Sequence, residues 1–139
     1  MTFPPNDPSL SLAGQLPLFD GAALSELFGA LNNDRDAVIG FVSAFIEQWP
    51  SRLARIDDRI RANNPPDALT AVLSLKVSSQ MLGASQLTSM CAELERIIGD
   101  GDFAAAIHRV ETLCLIGTNT LLALEKRRPV IDTELPGSL

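Results

Sequence analysis

The sequence predicts an all-α protein, an antiparallel up-down four-helix bundle with a short extra helix at its N-terminal side. Three observations carry that expectation. Apolar residues recur at helical spacing along most of the chain, and no segment alternates with the period of two that a strand requires. Alanine and leucine are abundant, whereas only 5% of residues are aromatic and there is no Tyr, a balance that favours helix over sheet. Finally, the breaks between periodic segments are short, which forces consecutive long helices to run antiparallel.

The first 17 residues hold four prolines and no helical period, so they read as a flexible leader. The segment 128–139, RPVIDTELPGSL, reads as a flexible tail, which leaves 18–127 for the bundle. Asp20 is placed to cap a short first helix ending near Leu31, with Leu24, Leu27, Phe28 and Leu31 on one face. A second helix spans about Asp34 to Ala62. Its stripe runs Val38, Phe41, Val42, Phe45, Trp49, Leu53, Ile56, Ile60, in phase on both sides of Pro50, so the proline should bend the helix rather than end it.

The turn 63-NNPP-66 leads into a third helix from about Pro66 to Leu82, Pro being suited to a first turn. Leu69, Val72, Leu75, Ser79 and Leu82 form its core stripe, and Gly83 can supply the positive φ that terminates it. Ser85 is the expected N-cap of a fourth helix, about Gln86 to Ile98, with Leu87, Met90, Cys91, Leu94 and Ile97 inward. After the breaker 99-GDGD-102, Asp102 caps a fifth helix from about Phe103 to Lys126. Its inward side is Phe103, Ile107, Val110, Cys114, Leu121 and Leu124. Gly117, costly in a helix interior by about 1 kcal/mol, marks a close packing contact.

Composition excludes several functions. With a net charge of −6 and a pI near 4.6, the chain lacks the basic surface that nucleic-acid binding requires. Lys126, Arg127 and Arg128 make the densest basic spot, and they sit where they complement a helix C-terminus. The longest near-apolar run, 37-AVIGFVSAFI-46, is far short of the roughly 20 residues of a membrane span. No signal-peptide pattern opens the chain, and two cysteines make no disulfide framework. Cys91 and Cys114 therefore read as buried free thiols, and the expected location is cytoplasmic. One histidine and two separated cysteines supply no metal-ligand set. No phosphate-cradling loop or base-activated nucleophile is present, so neither a cofactor nor enzymatic catalysis is expected.

The stretch 72-VLSLKVSSQMLGA-84 resembles the signature of histidine phosphotransfer (HPt) domains, Ala-His-x-Leu-Lys-Gly-Ser-x-x-x-Leu-Gly-Ala, at Ser74, Leu75, Lys76, Ser78, Leu82, Gly83 and Ala84. The following 87-LTSMCAELE-95 is similar to the family's next segment. The short first helix, the mid-helix Pro and the Gly-Asp turn before the last helix also fit. The resemblance covers about 18 to 125 and implies an HPt-like bundle in a two-component phosphorelay.

In that family an exposed His on the third helix accepts a phosphoryl group from an aspartate of a receiver domain. A Lys at i+3 offsets the phosphate charge, and a Gly at i+4 leaves room beside the ring. In this chain the acceptor position is Leu73, which has no lone pair, and Val77 stands for the glycine. Lys76 is retained.

The resemblance thus implies a docking module without phosphate acceptance, whose partner is a response-regulator receiver domain or a histidine kinase. Leu69, Leu73, Lys76, Val77 and Gln80 are the candidate contact residues. Two alternatives stay open. The second apolar stripe could serve self-association, as a homodimer or scaffold. A different residue could accept phosphate, His108 being the only histidine, although no Lys lies at its i+3 position.

Overall fold

In the computed structural model, residues 18–20 and 22–134 are described, the side chains of 128–134 excepted. Five helices follow in order: α1 (Ala23–Ala30), α2 (Arg35–Arg61), α3 (Pro65–Leu82), α4 (Ser85–Gly99) and α5 (Phe103–Glu134). No strand occurs among the described residues. α2 packs against α3 and α5, and α4 packs against the same two, so α3 and α5 occupy opposite corners of the bundle. α1 lies against α3 and α2. The antiparallel register of α2 and α3 is visible in paired side chains. Arg59 meets Asp67 close to the turn, at 3.9 Å. Farther along, Arg52 Nη1 donates to Ser78 Oγ at 2.9 Å.

The helix starts follow from local chemistry. Asp34 caps α2 by accepting from the Ala37 N–H at 3.2 Å. Asn64 caps α3 by accepting from the Asp67 N–H at 3.3 Å, and Asp102 accepts from the Ala105 N–H at 3.0 Å. Such caps satisfy one of the orphan amides of a first turn and contribute about 1 kcal/mol each. Two expected caps differ. Ser85 is already the first residue of α4, with Ala84 at the N-cap, and its hydroxyl turns back to donate to the Gly83 carbonyl. α1 begins three residues after Asp20; Asp20 instead accepts from the Ala22 N–H and donates its own N–H to the Gly83 carbonyl at 2.7 Å.

Gly83 ends α3 in the left-handed conformation, at φ 71°, which a Cβ would disfavour. A Cβ there would also collide with Ala23, so this glycine both stops α3 and admits α1.

α2 passes through Pro50 without interruption. α5 likewise continues to Glu134, eight residues past the Lys126 end read from the sequence. A proline removes one backbone bond but does not by itself forbid the helix, and the α5 backbone runs through Pro129. The helix therefore crosses the 127/128 boundary. The leader 1–17 and residues 135–139 lie outside the described residues.

The core is one cluster in which Val38, Ile56, Ile60, Leu75, Leu87, Leu94 and Leu113 are fully buried. Burying each such side chain contributes about 1.5–3 kcal/mol. The α5 stripe differs from the expected one: Ala106, Leu113, Ile116, Thr120 and Leu124 point inward, and Cys114 is exposed. The ring of Trp49 decides the rotation, because it lies where a Cβ on Gly117 would be. Seating Gly117 on Trp49 brings Leu113 inward and turns its neighbour Cys114, about 100° away on a helix, to the outside. Two fully buried hydroxyls are satisfied within their own helices, Ser79 donating to the Leu75 carbonyl and Thr120 to the Ile116 carbonyl, each at 2.8 Å.

Candidate functional site

α3 is held by its inner face, where Ala68, Ala71, Val72, Leu75, Ser79 and Leu82 are buried. The 3.6-residue period then aims Leu73 and Val77 outward. Their exposures are 40% and 52%, and Met81, one turn farther, is 39% exposed. Together they form an aliphatic strip on the outer face of the helix. Gln80 is exposed beside it. Leu69, expected in the same stripe, is half-buried and packs against the core.

The two edges of the strip differ electrostatically. Toward α4, Lys76 Nζ lies 3.2 Å and 3.4 Å from the two carboxylate oxygens of Glu95. Lys76 is therefore balanced by a carboxylate on the next helix. Beneath this pair, burial pushes the Cys91 thiol up to about 12, with Lys76 pulling it down and Glu95 adding to the rise. Such a thiol stays protonated and inert at neutral pH. Toward α2, Arg52 holds Ser78. Ser78 thus accepts from a guanidinium, which cannot serve as a general base.

His108 is exposed on α5, in a groove against α2 lined by Pro50, Leu53, Ile107, Val110 and Cys114. Because α3 and α5 stand at opposite corners, His108 does not share the face of Leu73. Asp57 and Glu111 line the same groove, and Glu111 stands at the i+3 position, where its charge opposes a phosphate. Among the described residues no group of His, Cys, Asp and Glu could hold a metal ion. No described helix is long and apolar enough to cross a membrane.

The described helices thus form an all-helical antiparallel bundle with an exposed aliphatic strip on its third helix. Residues 40–129 match the family model of the Hpt domain, and the chain belongs to that family. Hpt domains act in phosphorelay signalling, where they engage receiver domains and kinases. The fold is similar to the crystal structure of histidine-containing phosphotransfer protein B (HptB) from Pseudomonas aeruginosa PAO1. The TM-score is 0.73 and the identity 20%, over 82% of this chain and 96% of that one. No curated protein matches the chain.

Proposed function

We propose that this Hpt domain docks a phosphorelay partner, a receiver domain in the first instance and a histidine kinase in the second, without itself accepting a phosphoryl group. One observation carries the reading. Leu73, which the resemblance of 72–84 to the family signature sets at the acceptor-histidine position, faces outward beside an exposed Val77. A leucine offers no nucleophilic atom. What remains is aliphatic surface, and covering a side chain such as Leu73 contributes on the order of 1.5–3 kcal/mol to an association. A chain of this kind would occupy a receiver and withhold it from phosphate transfer, damping the relay. Lys76, Val77 and Gln80 border the contact, Met81 extends it, and Leu69 supports it from below.

The test is a binding measurement of the full chain against receiver domains and kinases, run beside a phosphotransfer assay. The expected result is a complex weakened at least tenfold by Leu73→Asp, with no label on the wild-type chain. If the chain alone were a concentration-dependent dimer dissociated by the same substitution, the strip would be a self-association surface instead. A further variant, Leu73→His with Val77→Gly, is expected to regain phosphate acceptance; a folded double variant that docks a receiver and takes no label would contradict the assignment of position 73.

A further inference from the structure

The α2 edge of the strip carries a feature that the docking reading does not use. Gln48, Ser51, Arg52 and Arg55 lie on one face of α2. Ala71 and Ser74 of α3 stand opposite them, and together these residues enclose a cleft of about 280 Å³. Ser74 directly follows Leu73, so the cleft opens beside the aliphatic strip.

Its charge is unusual for this molecule. Arg59, Arg61, Lys76 and Arg96 each have a carboxylate oxygen within 4.0 Å. Among the described residues no such ion pair involves Arg52 or Arg55. The two are one turn apart, a spacing at which like charges repel. Arg52 spends one N–H on Ser78, and a guanidinium has five. Hence two guanidinium groups with spare donors, a primary amide and two hydroxyl-bearing serines line one small cleft in a chain whose net charge is −6. Planar guanidinium forks match carboxylates bidentately.

We infer that this cleft is a carboxylate-binding subsite, which takes acidic side chains of the protein docked on the Leu73 strip. The inference rests on the docking reading for the identity of that protein. The contact is then two-sided: aliphatic burial over Leu73, Val77 and Met81 provides affinity, and Arg52 and Arg55 fix orientation by selecting an acidic patch beside the partner's apolar surface. Lys76 does not compete for that patch, because Glu95 already balances it.

Two measurements separate the cleft from the docking. First, the arginine side-chain Nε–Hε signals of the free full-length chain are followed by NMR during titration with a capped hexaglutamate peptide, with hexaglutamine as the neutral control. Arg52 and Arg55 should shift saturably while Arg59 and Arg61 stay in place, and Arg52→Gln with Arg55→Gln should abolish the response. Equal shifts at all arginines, or none at Arg52 and Arg55, would overturn the subsite. Second, a receiver whose binding depends on Leu73 is titrated with the wild type and with the double Gln variant at low and high salt. The variant should bind about tenfold more weakly at 50 mM salt and lose most of the salt dependence; unchanged affinity and salt dependence would overturn the inference. Failure to find any Leu73-dependent receiver removes the docking reading, and the peptide titration then decides the cleft by itself.

Discussion

Leucine and valine stand on both sides of α3, yet the two sides have opposite fates. Inward, Val72 and Leu75 are sealed in the core with no exposed surface. Outward, Leu73 and Val77 keep about half of theirs in water. The residue types are the same and the positions adjacent; only the 100° step of the helix separates them. The difference teaches that hydrophobicity alone does not mark the core of this bundle. An aliphatic pair on the outside adds little to folding, so its contribution is available to whatever covers it.

The largest expected effect comes from placing a charge on each side. Leu75→Asp buries a carboxylate without a partner and should cost several kcal/mol. Its cooperative thermal transition, followed by circular dichroism, should disappear or fall by tens of degrees. Leu73→Asp should shift the same transition by no more than about 0.5 kcal/mol, as surface changes do, while abolishing docking. Equal losses of stability in the two variants would break the comparison.

A smaller effect is expected at Gly117. Alanine would gain about 1 kcal/mol in helix propensity, but its Cβ would run into the Trp49 ring, an overpacking that costs about 1–3 kcal/mol. The net expectation in chemical denaturation is a modest loss of stability, and a gain would contradict the rotation assigned to α5.

The two cysteines repeat the contrast between inside and outside. Cys91 keeps its proton in the folded state up to about pH 12, against an ordinary value of 9.0. The unfolded chain therefore releases that proton first. The stabilisation is complete below pH 9 and is lost as pH rises toward 12, by at most about 1.4 kcal/mol per pH unit. Denaturation of the wild type and of Cys91→Ala across pH 8–11 should show the steeper decline in the wild type, and parallel curves would count against this linkage. The smallest effect is chemical. Under native conditions a maleimide should modify Cys114, which is exposed, and leave Cys91 untouched, with almost no change in stability. Mass spectrometry of the digested adduct distinguishes the two.

Much of this arrangement was legible in the sequence. The stripes on α2 and α4 have a single clear phase, α3 carries a core stripe and a second apolar stripe beside it, and Asp34, Asn64, Gly83 and Asp102 punctuate the helices by familiar local chemistry. The helical period sets Leu73 and Val77 on a stripe turned away from the core stripe, and Met81 could have been added to them by one more step of four. α5 was harder because apolar residues surround it. Leu115 and Leu122 are exposed at 53% and 60%, so the period alone admits two phases, and the choice between them comes from Trp49 on another helix. The remaining misses are also non-local. Lys76 meets a carboxylate 19 residues away, and the Arg52–Arg55 cleft exists only once α2 and α3 are side by side.

The central claim is docking without phosphate acceptance, and one measurement addresses both halves. A receiver carrying radiolabelled phosphate, and binding this chain in a Leu73-dependent manner, is mixed with the purified full-length protein and the distribution of label is followed. The account predicts a stable complex in which the label stays on the receiver or is lost as free phosphate. Acid-labile phosphate on this chain, at His108 or at any other residue, would contradict it.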